Sequence, residues 1–275
     1  MRKKLFFNRI KLLVKKSSVL KKEKNKENNN FNIKRNFPNI SKNKRVIPNV
    51  LLRSSLFGII KKGNRKYEKN ILKTSLNSFL IRFTGESLDQ ADLDVWLECL
   101  YLFTKVPLGE KVIFSTFSFL KSINRNTGKK DYEWLKSSLM RLSICSIEIN
   151  YKNYFYVGHL LHEWYRNDKT KKNIILLNKK IISFFIDSMW TAISLKERKK
   201  LKGKQLSQWI HCFFCSHNKT PLPYKVETLK KLCGSNIHIL WKFRQILKKS
   251  LYEVSLATGW KFWIDKNDIV HIMKK

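Results

Sequence analysis

The chain has 275 residues, is 43% hydrophobic, and carries 57 Lys and Arg against 20 Asp and Glu, a formal charge of +37. That apolar content excludes a wholly disordered chain, and the length allows one or two domains with cores of their own. So large a surplus of one sign repels itself in a compact fold and points to a polyanionic partner, because an acidic small molecule needs only a few cations.

Residues 1–45 stand apart. They hold 16 Lys and Arg and 2 Glu, net +14, with an Asn run at 28–30. No helical or strand period lasts more than two turns after residue 20, so the segment reads as a disordered basic arm. Three other readings compete. A secretory signal needs an unbroken apolar stretch, but Leu12-Leu13-Val14 lies between Lys11 and Lys15. A transit peptide fits the lack of any acid before Glu23. A short amphipathic anchor could use Leu5, Phe6, Ile10 and Leu13.

From Val46 the pattern changes. Ser87-Leu88-Asp89-Gln90 fits a capping box with Ser87 as N-cap. Leu88, Ala91, Val95, Cys99, Leu102 and Phe103 then mark a helix to about Thr104, ended by Pro107 and Gly109. Val112–Phe114 is a short strand, 115–123 a short helix, and Asn126-Thr127-Gly128 a turn. A second strong helix covers Asp131–Leu142. Residues 147–151 and 154–161 alternate about Lys152-Asn153 as a β-hairpin. Helix, strand, helix, turn, helix and hairpin make a winged helix.

The last hundred residues repeat that order. Leu206, Trp209, Ile210, Phe213 and Phe214 mark one helix, and Pro221 and Pro223 break it. A short helix over Val226–Cys233, a turn at Gly234-Ser235 with Ser235 placed to cap, and a long helix over 237–257 ending at Gly259 follow. Residues 260–264 and 269–273 form a second hairpin. The expected fold is α+β, two tandem winged-helix domains at 46–187 and 188–275 behind the arm at 1–45.

Both long helices carry a polar, basic face. On the first, Lys129, Lys136 and Ser137 lie off the apolar stripe, with Lys130 adjacent and Arg141 near the end. On the second, His238, Lys242, Gln245 and Lys249 recur at i, i+4, i+7 and i+11, opposite Leu240, Phe243, Leu247, Leu251 and Val254. An α-helix fits the major groove, where side chains of its first turns reach base edges. His238, Lys242 and Gln245 suit bases, while Lys248 and Lys249 suit phosphates. Ser235 in the turn, and Lys152 and Lys266 in the two hairpin turns, complete the expected contacts with double-stranded DNA. The plainer reading is a pair of solvated charged faces.

Several blocks resemble the TrfA family of plasmid replication initiators. Gly128-Lys-Lys-Asp-Tyr-Glu-Trp-Leu-Lys-Ser-Ser-Leu-Met-Arg-Leu142 is similar to the family's signature helix, and Leu88-Asp-Gln-Ala-Asp-Leu-Asp-Val95 to the helix before it. Leu206–His217, Leu232-Cys-Gly-Ser235 and Phe243-Arg-Gln-Ile-Leu-Lys248 resemble the second domain, and Ile47–Phe57 the segment leading into the first. The resemblance covers about 46–260. It implies binding to direct repeats (iterons) at a plasmid origin, opening of adjacent AT-rich DNA, and recruitment of host initiator, helicase and sliding clamp in the bacterial cytoplasm. It leaves a monomer–dimer equilibrium open. The family's clamp motif ends in Leu-Phe; Leu56 and Phe57 keep only those two residues, and packing on the first domain is the alternative. A transcriptional repressor or copy-number regulator would share the fold, which does not decide function.

Enzymatic readings find little support. His162-Glu163-Trp-Tyr-Arg166 lacks the second His of a zinc protease motif. His211, Cys212, Cys215 and His217 would be spread round a helix and not round one tetrahedral site. Asp89 and Asp92 suit the first turns of a helix by its dipole, and a metal cluster with Asp94 is the lesser reading. No phosphate-binding Gly-rich loop, nickase His pair or recombinase Arg/His/Tyr set stands out, so no catalysis, metal or cofactor is expected. Five Cys without a repeating spacing suit a reducing compartment. The best apolar run, 181–193, is too short to span a bilayer and contains Asp187.

Overall fold

The computed structural model describes residues 37–274 apart from 39, 62, 77, 78, 152, 153 and 168. Most of the basic arm and Lys152 lie outside the described residues.

Two apolar cores organise the described chain. The first is built around Trp96, Phe57, Phe83 and Leu93, the second around Phe213, Phe214, Phe243 and Leu247. The lead-in strand β1 (Lys44–Pro48) pairs antiparallel with β11 (Trp190–Ser194), Val46 opposite Ala192. Ile193 of β11 packs in the first core, and the second core begins at Leu201. After the single-turn helix α1 (Asn49–Leu52), the short strand β2 (Phe57–Gly58) pairs parallel with β5 (Leu88–Asp89).

The helix α2 (Gln90–Phe103) forms where its apolar spacing requires, but its capping box is two residues later than the sequence suggests. Asp89 accepts from the Ala91 and Asp92 amides, and Asp92 accepts from the Asp89 amide. Ser87 instead donates to the Lys66 carbonyl and the Glu68 carboxylate. β6 (Val112–Ser115), α3 (Thr116–Ser122) and α4 (Lys129–Ile144) follow in the expected order. Ser115 caps α3 by accepting from the Ser118 amide.

The expected hairpin after α4 is present as β7 (Ser146–Tyr151) and β8 (Tyr154–Gly158), with Ile149 opposite Tyr156. It joins β3 (Tyr67–Lys73) and β4 (Leu80–Glu86) in a four-stranded sheet ordered β3-β4-β7-β8. A further hairpin, β9 (Glu163–Asn167) and β10 (Lys172–Leu176), completes a sheet with β6 in the order β6-β10-β9. A 3-10 helix over Lys179–Ser188 leads to β11.

The C-terminal elements are α5 (Leu195–Lys200), α6 (Gln205–Cys215), β12 (Tyr224–Lys225), α7 (Val226–Leu232), α8 (Leu240–Thr258), β13 (Lys261–Ile264) and β14 (Ile269–Met273). Their sheet is ordered β12-β14-β13. In both halves the strand before the short helix pairs with the last strand of a hairpin. The hairpin equivalent to β13–β14 is therefore β9–β10, and β7–β8 is an addition. α8 starts three residues later than its pattern suggests, at Leu240, and no side chain caps it. Ser235 accepts from the Ile237 amide and closes the preceding turn. Gly259, at φ +77°, ends α8 as a left-handed cap. Among the described residues no helix is long and apolar enough to cross a membrane.

Candidate nucleic-acid interface

α4 buries Leu135, Ser138, Leu139 and Leu142 and turns Lys129, Lys130, Glu133, Lys136, Ser137 and Met140 to solvent. Ser137 donates to the Glu133 carbonyl within its own helix. Lys129 and Lys136, with Arg166 of β9, line an open groove of about 570 Å³ between the first half of α4 and the β9–β10 hairpin. Trp164 in that groove donates to Asn173, and Asn173 donates to Thr116 at the start of α3. The hairpin is thereby tied to the start of α3. Arg125 lies over the Trp134 ring at 3.4 Å and fixes the approach to α4.

Arg141 is not part of this face. It is 8% exposed, and its Nε and Nη2 donate to Asp92 Oδ1 at 3.2 and 2.8 Å. A contact to DNA from Arg141 would leave Asp92 buried without its guanidinium, so the expectation for Arg141 is corrected. Burial alone would raise the Asp92 carboxyl, but Arg141, Arg65 and the Ser138 hydroxyl hold it below the usual range.

α8 has the cleaner exposed face. Phe243, Leu247, Ser250, Leu251 and Val254 are buried, while Lys242, Gln245, Lys248 and Lys249 point outward. Trp241, 55% exposed, lies one turn before Gln245 on that outward side and was not among the expected contacts. Its signal was available in the sequence as an aromatic residue off the apolar stripe. His238 precedes the helix. With Ser235, Asn236 and Lys230 it faces Arg65 and Lys66 across a polar cleft of about 720 Å³. Lys66 and Lys230 are cleft residues that the sequence does not single out, Lys66 because it lies in an irregular loop without a period. Arg65 lines the cleft as well, but its guanidinium is committed to Asp92 and Asp89, each at 2.7 Å. Lys266 is exposed in the β13–β14 turn, which Asp265 stiffens by accepting from the Asn267 and Ile269 amides at 2.9 and 3.0 Å. Arg244 of α8 pairs with Asp268 in the same turn.

Leu56 and Phe57 are 0% and 2% exposed, and the Phe57 ring packs on Trp96 at 6.1 Å. They are core residues in this structure and present no surface to a clamp, which corrects that expectation. The His and Cys residues of α6 do not converge. His211 meets Glu197 at 2.8 Å and Cys215 at 3.5 Å, Cys212 faces Arg198, and His217 donates to the Phe213 carbonyl and meets the Tyr224 hydroxyl through its other nitrogen. Burial opposes charge on His211, but Cys215, Cys212 and Glu197 outweigh it and lift its pKa well above the ordinary value. Among the described residues no group of three or more His, Cys, Asp or Glu is arranged to hold a metal ion.

Two pairs of a short and a long helix, each beside a three-stranded sheet and each with lysines on the exposed side of the long helix, give a winged-helix-like α+β fold. The chain belongs to the TrfA family: the family model described as TrfA protein matches residues 11–274. It is 25% identical over 244 residues to the plasmid replication initiator protein TrfA of Escherichia coli, covering 82% of this chain and 61% of that protein's length. Among solved structures, domains 2 and 3 of RctB superpose with a TM-score of 0.52 at 13% identity, covering 79% of this chain and 94% of that one. The Pi initiator protein in complex with iteron DNA gives 0.49 at 11% identity, covering 66% and 91%. The likeness in fold rests on RctB.

Proposed function

We propose that the chain is a tandem winged-helix initiator that binds repeated sequences at a plasmid origin and carries out no catalytic step of its own. The single observation behind this reading is the duplicated arrangement of α4 and α8. Each follows a short helix and a turn, buries one face, turns lysines outward, and is flanked by a hairpin that closes the same three-stranded order. An α-helix with one solvent-facing polar stripe is the size and chemistry of a major-groove reader. The net charge of +37 suits a phosphate-rich partner. The relative in Escherichia coli is by name a plasmid replication initiator, and opening of AT-rich DNA and contact with host replication proteins are proposed here by that kinship.

The test is a competition at physiological salt between a duplex carrying tandem repeats from DNA flanking the coding sequence and a scrambled duplex of equal length. Preference for the repeat supports the reading, and equal competition overturns it. Permanganate footprinting of a supercoiled plasmid bearing the repeats separates an initiator, which exposes thymines in the AT-rich tract, from a repressor, which does not.

A further inference from the structure

Two carboxylates at the start of α2 point to opposite partners. Asp92 is fully buried and accepts from Ser138 Oγ at 2.7 Å and Arg141 Nη2 at 2.8 Å, both on α4. Its other oxygen accepts from Arg65 Nη1 at 2.7 Å. Asp94 accepts from Arg198 Nε of α5 at 2.6 Å and from Gln208 Nε2 of α6 at 3.3 Å. Arg198 is itself 3% exposed. It donates to the Gln90 side chain at 3.0 Å, the Gln90 carbonyl at 2.8 Å and the Gln208 carbonyl at 3.2 Å. α6 packs directly on α8 in the second core through Trp209, Phe213 and Phe214 against Phe243 and Leu247. A continuous line of directional bonds and packing thus runs from α4 through Asp92, α2, Asp94, Arg198 and α6 to α8.

The segment between β2 and β3 reinforces the join. Ile59 N donates to the Cys233 carbonyl at 2.9 Å, and Ile60 N to Gln205 Oε1 at 2.6 Å. A Cβ on Gly58 would sit 3.3 Å from that same Cys233 oxygen, so the two backbones meet at close range. Apolar surfaces can slide over one another at little cost. A buried guanidinium with each of its three nitrogens hydrogen-bonded has one favoured arrangement, and leaving it strands a charge. The join is therefore built for fixed geometry.

Fixed geometry between two reading helices has a consequence on DNA. One inserted base pair rotates one half of a site against the other by about a tenth of a turn and shifts it along the axis, so half-site spacing becomes a geometric requirement. We propose that Asp94 and Arg198 are positioning residues that set the half-site spacing this protein accepts. The proposal rests on α4 and α8 both reading the repeat, as argued above.

The experiment is an insertion scan. The full chain, Asp94→Asn and Arg198→Met are titrated against the repeat duplex and against duplexes with one base pair inserted at successive positions within it, with a scrambled duplex as reference. Thermal melts followed by circular dichroism establish that each variant is folded. Asp94→Asn is the mild variant, since that side chain is 28% exposed and Asn is isosteric. Arg198→Met removes the buried charge with a chain of similar length. For the wild type, central insertions should weaken binding about tenfold or more, the scale of a mismatched contact. For the variants the same insertions should weaken binding by less than about threefold, with the unaltered repeat bound within a few-fold of wild type.

A purely structural role would weaken binding to all duplexes together and leave the ratio unchanged. Folded variants that penalise insertions as the wild type does overturn the proposal, and so does a wild type that prefers the repeat yet ignores insertions. If Arg198→Met loses its cooperative melt, Asp94→Asn decides alone. A wild type that binds repeat and scrambled duplex alike overturns the functional reading beneath the proposal.

Discussion

Asp92 and Arg141 form an ion pair inside the protein, Oδ1 to Nη2 at 2.8 Å, with the carboxylate fully buried and the arginine 8% exposed. It couples α2 to α4 across 49 residues of sequence. An arginine that looks from the sequence like a phosphate contact is thereby committed to holding its helix in place. Arg141→Ala should reduce stability by about 3–5 kcal/mol, because it leaves the fully buried Asp92 carboxylate with Arg65 as its one remaining cation. Lys136→Ala removes an exposed side chain and should shift stability by no more than about 0.5 kcal/mol, while lowering the salt slope of DNA binding by about one. Urea denaturation and titrations at several salt concentrations read both variants. If Arg141→Ala lowers the slope without loss of stability, the arginine reaches DNA after all.

His217 confers a dependence on acid. Its Nδ1–H donates to the Phe213 carbonyl at 2.7 Å, and Nε2 accepts from the Tyr224 hydroxyl at 2.9 Å, an arrangement suited to the neutral ring. Burial disfavours the imidazolium and takes the pKa to about 4, with the Arg53 and Lys274 cations acting in the same direction. In the unfolded chain the ring titrates near 6.5. As pH falls below that value the unfolded state takes up the proton first, so stability declines between about 6.5 and 4 and then levels. The loss attributable to this ring is roughly 3 kcal/mol. His211 works in the opposite sense: its raised pKa means that its contribution is complete below about 6.5 and is lost as pH rises through the folded value. Urea midpoints at pH 7, 5.5 and 4.5 for wild type and His217→Asn isolate the effect. The variant should show a shallower decline, and an identical decline would assign the acid limb to other groups.

What the sequence disclosed follows from what acts locally. The spacing of Leu206, Trp209, Ile210, Phe213 and Phe214 produces α6, and that of Phe243, Leu247, Leu251 and Val254 produces α8, because each pattern buries one face of a helix. The β9–β10 hairpin was missed because Glu-Trp-Tyr-Arg-Asn and the lysine-rich turn after it do not alternate cleanly. Its place is fixed by Asn173 reaching Thr116, a pairing 57 residues apart. Ser87 and Asp89 are both good caps in sequence, and the contacts of Ser87 to Lys66 and Glu68 decide between them. The burial of Arg141 is partly legible in the sequence. This arginine lies three residues after Ser138, which is on the buried side of α4, although no local pattern names Asp92 as its partner. In the candidate interface, the exposure of the lysines on α4 and α8 is legible from periodicity, whereas Lys66 and Lys230 meet only through the folded chain.

Leu56 and Phe57 give a prediction about stability, not partnership. Both lie in the first core, where Leu56→Ala should lose about 2–5 kcal/mol and Phe57→Ala about 3–5 kcal/mol through lost apolar contact and the cavities left behind. Urea midpoints measure this directly. A near-neutral effect of Leu56→Ala, within about 0.5 kcal/mol, would mean that the segment is surface-bound and free to engage another protein.

If α8 reads DNA as proposed, its face should separate two kinds of contact. Trp241 and Gln245 lie one turn apart at its start, where side chains of a helix in the major groove reach base edges. Lys249 lies one turn after Gln245, where a helix leaving the groove meets backbone. Gln245→Ala should cost roughly 1–3 kcal/mol at one position of the repeat and relax the preference there. Trp241→Ala should act at a neighbouring position, most strongly where the repeat presents a thymine methyl, and replacing that thymine by uracil should reproduce the loss in the wild type. Lys249→Ala should weaken binding to all sequences about equally and lower the salt slope by about one. Leu247→Ala, on the buried face, serves as the control and should lose about 2–5 kcal/mol of stability. Titrations against single-base variants of the repeat, each at several salt concentrations, distinguish these signatures. If Gln245→Ala and Lys249→Ala behave alike, α8 does not lie in the groove, and α4 with Lys129, Lys130 and Lys136 becomes the principal reader.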